Sequence, residues 1–346
     1  MIDRRHLLKT AGAAGFVATL SSPFILTGRA NAQGKDLRKL NVGVGGITFA
    51  YLPLLVAKSA GYFEEEGLDL TFVNANGGAN ALAAALGGSV DICGLVMSDI
   101  ILASSKNQKL QAFAPLMSQY ASDAVISTAA AQKAGITADM PLKERMARLK
   151  GMTLAISSRG SGIDKLWRYL IGLGGLYPDK DVTLTVVKLD QMYPALISGQ
   201  IDGFNTTAPS NNRAVAEGRA IWLARPSQGE VPGLENFLYT VLGAKPDYLA
   251  ANPDIPQKLV GGLIKGAKLI HTDAAKAGSL IQKEFFSQTD ARLLIDTVKD
   301  QATTVASPPT LTEAQFKQNV DFMLKFGHEV EKVTFADTIN SKWVSA

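Results

Sequence analysis

At 346 residues the chain is too long for one small core and long enough for two domains. Its 35 basic and 31 acidic side chains exclude the strongly basic surface that nucleic acid or an anionic membrane requires. A single cysteine and three histidines exclude a disulfide framework and offer no metal-ligand spacing.

Residues 1–32 read as an export signal. Arg4-Arg5 and Lys9 form a positive start, residues 11–20 a small-residue apolar run, and Ala30-Asn31-Ala32 a cleavage site. The order Arg-Arg-x-x-Leu-Lys is similar to a twin-arginine signal, with an ordinary Sec signal as the alternative. Ser21-Ser22-Pro23 breaks the run short of the ~20 residues a membrane span needs. The expected mature chain starts near Gln33 after export and inserts in no membrane. Loss of the signal removes four basic residues and one acidic one, leaving 31 and 30.

From residue 42 short apolar runs alternate with helical patterns. Strands are predicted over 42–44, 68–73 and 90–93, and helices over 49–60 and 79–86. Each helix follows a loop of Gly, Ser, Thr or Asn, an order that gathers binding groups at strand ends and helix N-termini. Unpaired N–H groups and a positive partial charge there suit small polar or anionic ligands. Residues 121–127 are apolar and β-prone, as are 236–243, and both are read as crossing strands that serve as hinges. Between them the plan recurs: strand 153–156, loop 157–162, helix 163–173, strand 182–189, helix 193–198 and strand 201–204. Leu86-Gly87-Gly88-Ser89-Val90-Asp91 also has a faint counterpart in Ile197-Ser198-Gly199-Gln200-Ile201-Asp202, and two α/β lobes of one plan follow. Beyond Pro246 the pattern turns helical, with a helix over 257–272 and another over 314–330 opened by a capping box at Thr310-Leu311-Thr312-Glu313. This tail is expected to pack back on the first lobe. The expected division is lobe one over 33–123, lobe two over 124–235, and a return to lobe one over 236–346.

The pattern Gly-x-x-x-x-Tyr-Leu-Pro-Leu-x-Val-Ala-Lys-x-x-Gly-Tyr-Phe-x-x-x-Gly-Leu, from Gly46 to Leu68, resembles the nitrate/sulfonate/taurine-type solute-binding proteins of ABC importers. Gly88-x-Val-Asp91, Leu149-Lys150-Gly151 and Gly199-x-Ile-Asp202-Gly203 carry the same likeness. The superfamily also holds thiamine-pyrimidine-precursor binding proteins and an iron-dependent fungal pyrimidine synthase, whose cysteine-rich motif and histidines this chain lacks. The resemblance implies a type II periplasmic binding protein fold: α/β, two lobes, each a mixed sheet flanked by helices, closing over a ligand in the cleft between them. It implies a small organic anion as ligand, alkane- or arylsulfonate-like or taurine-like. The alternatives are a neutral heteroaromatic such as a thiamine-precursor pyrimidine, or nitrate. The implied partners are an ABC permease and its ATPase; a second class is a ligand-binding accessory of a membrane sensor. No catalytic residue, cofactor or metal is expected, and a monomer is.

Both arguments place ligand contacts at the same junctions. In lobe one these are Thr48 and Phe49, Asn76 and Gly78, and Ser98; in lobe two Ser158, Arg159, Gly160 and Ser161, Asp190, and Asn205 and Thr206. Hydroxyls and amides of the 157–161 loop suit an oxyanion, although serine there is also a common N-cap. Arg159 is the one strong cation in a cleft loop, its alternative being a solvated loop arginine. Phe49 and Tyr51 are each read as walling the pocket or packing in the core. Asp190 either accepts from a ligand amine or serves a turn. Asp91 and Asp202 are read as holding the starts of their strands.

Overall fold

The structure, a computed structural model, describes residues 36–344; the expected export signal lies outside the described residues. The first strands are β1 (Arg38–Val44), β2 (Leu68–Asn74), β3 (Ile92–Val96) and β4 (Gln111–Met117). Then come β5 (Ser122–Ser127), β6 (Thr153–Ile156), β7 (Thr183–Val186), β8 (Gly203–Thr207), β9 (Ala220–Ala224) and β10 (Thr240–Ala244). They form two five-stranded sheets, in the orders β2-β1-β3-β10-β4 and β7-β6-β8-β5-β9.

The two sheets share one plan. In the first, β1 lies parallel between β2 and β3; in the second, β6 lies parallel between β7 and β8. Parallel neighbours need helical crossovers, and that is why the sequence alternates strand and helix here. The antiparallel strand in each sheet arrives from the other half of the chain: β5 follows β4, and β10 follows β9. The runs read as crossing strands are therefore interior sheet strands, and the chain changes sheets just before them, over 118–121 and 225–239. Their apolar character follows, since β5 and β10 each run between two neighbours and are buried almost throughout.

Local chemistry explains most boundaries. The helix Gly162–Leu173 starts at Ser161, whose hydroxyl accepts from Asp164 N at 3.3 Å. Trp167 anchors that helix to its sheet by donating from Nε1 to Ala155 O at 3.0 Å. Asp202 does hold its strand, accepting from Thr153 N at 2.7 Å. Three expectations are corrected. The strand predicted over 182–189 is Thr183–Val186, because Leu189 already opens the helix Leu189–Ile197. The last long helix is Glu313–Leu324, stopping short of 330, with Gly327 left-handed at φ +72° just beyond. Its capping box is Thr312 with Gln315, two residues later than predicted, because Thr312 is the residue with extended backbone at that helix start.

The helix Asp254–Thr272 lies on Leu52–Ser59 so closely that a Cβ on Gly266 would stand 2.7 Å from Pro53 O. At the far end Asn340 N donates to Ala112 O at 2.8 Å and Gln111 Nε2 to Ala336 O at 3.0 Å, tying the tail to β4. The tail also touches the second lobe, where Arg225 pairs with Asp300 at 2.5 Å.

Candidate functional site

Where the lobes face each other, a cavity of about 270 Å³ opens between the loops that follow β1, β2, β3, β6 and β8. Its floor is set by close backbone approach. A Cβ on Gly45 would stand 3.0 Å from Gly78 N, and Gly77 N donates to Gly45 O at 2.7 Å, so the loops after β1 and β2 meet without side chains between them. Gly77 carries no capping side chain, which leaves the first amides of the helix Gly78–Gly87 without side-chain caps where Gly78 and Ala79 line the cavity. Thr48 caps the short 3₁₀ turn Phe49–Tyr51, accepting from Ala50 N at 3.3 Å, and also lines the cavity.

The second lobe contributes the loop from Ser157 to Ile163. Gly160 has φ +75°, which lets the chain fold back so that Gly160 N donates to Asp164 Oδ2 at 2.7 Å. The Ser161 hydroxyl is committed to structure, since it caps the helix and donates to Ser158 O at 2.8 Å. Ser158 lines the cavity, and no described residue bonds its hydroxyl. Arg159 lines the cavity, but its guanidinium donates to Asp179 Oδ1 at 2.5 Å and to Leu184 O at 3.2 Å. Asp179 takes Arg168 as well, and the two guanidiniums, Arg159 first, hold its carboxyl below the usual range.

Of the twelve residues picked from sequence, Thr48, Gly78, Ser158, Arg159, Gly160, Ser161 and Thr206 line the cavity. Phe49 is fully buried and stacks edge-on against Phe286, so its ring serves the core. Asn205 is buried behind the wall, accepting from Ser122 Oγ at 3.0 Å and donating to Ile163 O at 3.0 Å. Ser98 is buried and meets Lys165. Asn76 and Asp190 are exposed and outside the lining, although Leu189 beside Asp190 is part of it.

Three further groups shape the cavity: Tyr51, which the sequence reading weighs with Phe49 as wall or core, and Tyr239 and a charge pair, which it misses. Tyr51 and Tyr239 form an aromatic wall, both with their phenols pushed up by burial, Tyr51 to about 12. The Tyr51 hydroxyl accepts from Gly45 N and donates to Gly94 O, each at 3.2 Å, so it braces the β1 loop. The third group is a charge pair between lobes. Lys165, on the helix Gly162–Leu173, is buried and reaches Ser98 Oγ at 3.2 Å and Asp99 Oδ1 at 3.4 Å on the helix Met97–Ser105. Asp99 lines the cavity; Lys165 sits behind it. A local signal for Tyr51 exists in its place one turn after Thr48, but none pairs residues 99 and 165.

Other contacts close the lobes together. Phe49 N donates to Ala208 O at 2.9 Å and Tyr120 Oη to Gly162 O at 3.0 Å. Among the described residues no cluster of three or more His, Cys, Asp or Glu could hold a metal, and no helix is long and apolar enough to cross a membrane. The cavity is thus lined by amides, hydroxyls and the Asp99 carboxylate with an apolar wall, an arrangement that binds and orients.

Two mixed α/β lobes with a cavity between them define the periplasmic binding protein fold. The chain belongs to the NMT1-like family, whose model matches residues 33–282. YtlA of Bacillus subtilis, named as a binding protein, is 24% identical over 320 residues, covering 90% of each chain. Among solved structures, the alkanesulfonate-binding protein SsuA of Xanthomonas axonopodis pv. citri bound to MOPS superposes with TM-score 0.69 at 19% identity, over 88% of this chain and 99% of that one. The periplasmic nitrate-binding protein NrtA of Synechocystis PCC 6803 does so with TM-score 0.68 at 14% identity, over 88% and 86%.

Proposed function

We propose that this protein is the solute-binding component of an ABC importer, capturing a small organic anion in the cleft between its lobes and presenting it to a permease and its ATPase. The observation that carries the ligand class is convergence. The starts of three helical segments, at Thr48, Gly78 and Ser161, line one cavity; Asp99 faces the Gly78 start, so the Thr48 and Ser161 starts with the 157–161 loop are the ones open to an anionic head. An anionic head held by amides and hydroxyls needs no unpaired cation, which suits a site whose Arg159 is already engaged by Asp179. Tyr51, Tyr239, Leu82 and Leu102 offer apolar surface to the rest of the ligand.

A cavity of about 270 Å³ has the volume of roughly nine liquid waters, more than nitrate fills. An alkane- or arylsulfonate, or a taurine-like molecule, fits better. The same aromatic wall favours a neutral heteroaromatic as the second reading. The protein acts in the periplasm as a monomer after removal of residues 1–32, with its lobes divided near residues 123 and 235 and the chain returning to lobe one thereafter. Closure is a hinge motion at the crossings 118–121 and 225–239.

Thermal-shift titration with sulfonates, taurine, carboxylates, nitrate and pyrimidines tests the reading. A ligand specific for the folded state stabilises by about 2.7 kcal/mol at a hundredfold excess over Kd. A rise with sulfonates or carboxylates that is lost in Ser158→Ala supports the anion reading; a rise with pyrimidines alone replaces it with the second.

A further inference from the structure

We infer that Asp99 selects the ligand, admitting small organic anions that carry an N–H or O–H donor away from their anionic head and rejecting those with an apolar end. The inference rests on the anion reading proposed above and narrows it. Three observations support it. First, the cavity holds a carboxylate: Asp99 lines it, with its side chain 13% exposed. Second, that carboxylate is only half engaged. Oδ1 takes the Lys165 ammonium at 3.4 Å, while Oδ2 lies 3.3 Å from where a Cβ on Gly78 would stand, against the uncapped start of the Gly78–Gly87 helix. An ionised carboxylate accepts about four hydrogen bonds, so one ammonium leaves capacity to spare. Third, the other charged groups near the cavity are spoken for. Arg159 is held by Asp179 and Leu184 O, Asp164 by Gly160 N and Arg168, and Lys165 by Asp99 and Ser98.

The consequence for a bound molecule is direct. An anionic head repels Asp99 and settles at the hydroxyl- and amide-lined loop from Ser157 to Ser161. The other end then lies toward Asp99. A methyl group there strips water from Oδ2 and returns nothing, and such an unpaired polar group is what lets a site reject an analogue lacking a donor. An ammonium, hydroxyl or ring N–H replaces that water with a charge-assisted bond.

The test is isothermal titration of the purified protein with matched ω-amino-, ω-hydroxy- and ω-methyl-alkanesulfonates of graded chain length, and the corresponding carboxylates. The donor-ended members should bind at least about tenfold tighter than the methyl-ended ones. Asp99→Asn keeps an acceptor for Lys165 and should erase the preference for the amino members. The pair Asp99→Leu with Lys165→Met removes both charges together and should turn the preference toward methyl-ended ligands. Equal binding of donor- and methyl-ended anions by the wild type, or a preference unchanged in Asp99→Asn, overturns the role of Asp99 and leaves the anion reading intact. If no sulfonate or carboxylate binds, the anion reading falls and this inference with it.

Discussion

Gly94 lies within β3, and Tyr51 occupies the space its side chain would fill. A Cβ added there would stand 2.5 Å from Tyr51 Cε1 and 2.8 Å from Cδ1. Carbons in contact rest about 3.5–4.0 Å apart, so in Gly94→Ala the ring must retreat by about 1 Å. That retreat is opposed: Tyr51 is buried and its hydroxyl bridges Gly45 N and Gly94 O. Overpacking of this kind costs about 1–3 kcal/mol and each lost hydrogen bond about 1. Replacing a strand glycine returns about 0.5–1 kcal/mol of chain entropy, so a net loss of roughly 3 kcal/mol is expected. The assay is urea unfolding followed by circular dichroism, with the midpoint lowered and the slope unchanged. Because Tyr51 also walls the cavity, ligand affinity should fall in the same variant. The decisive control is a double-mutant cycle on Tyr51→Leu, where the clash is gone and Gly94→Ala should cost under about 1 kcal/mol. A loss of similar size in both backgrounds refutes the argument, as does a loss below about 1 kcal/mol in the wild type.

Lys165→Met leaves Asp99 facing a cavity open to solvent, whereas Asp99→Ala leaves a buried ammonium with only the Ser98 hydroxyl; chemical denaturation should show the second as the more harmful, by about 3–5 kcal/mol against wild type. Asp123 is buried and accepts from Ser227 N and Oγ; burial pushes its carboxyl up to about 6, against the pull of Ser227 and Arg225. The folded state therefore holds a proton that the unfolded state has released between about pH 4 and 6, and this group's contribution to stability falls across that window by about 3 kcal/mol and is flat above it. Subtracting the pH–stability curve of Asp123→Asn from that of the wild type should isolate that fall; a difference that rises with pH contradicts the assignment. Cys93 is buried in β3 with its thiol pushed up to about 12 by desolvation, so a thiol reagent at pH 8 should label it only as fast as the fold opens. Labelling at the rate of a free thiol refutes this.

Why the loops were legible and their charges were not has one physical cause. A loop that must turn sharply, or let two backbones touch, demands glycine or a capping hydroxyl at a given position, and that demand is met within a few residues of sequence. Gly78 at its helix start, Gly160 at φ +75° and Ser161 at its helix start are of this kind, and each could be placed from its neighbours alone. A charge is instead defined by its partner, and partners come from anywhere. Arg159 reads as a free cation until the fold brings Asp179 against it, and nothing in the sequence singles out Lys165 until two lobes bring Asp99 to it. Phe49 shows the same limit for an apolar group. Its position at a helix start fits wall and core equally, and Phe286, more than two hundred residues later, makes it core. The repeated plan of the lobes was legible because each strand–loop–helix unit is local, whereas β5 and β10 looked like bridges because their sheet neighbours come from distant segments. In the reading proposed above, the part of the site that grips an anionic head is therefore written in local backbone chemistry, and the part proposed to discriminate among anions, Asp99 with Lys165, is written only in the meeting of the lobes. The paired substitution Asp99→Leu with Lys165→Met, which spares every loop glycine and strands neither charge, should accordingly change which ligand is held while leaving the cleft itself intact.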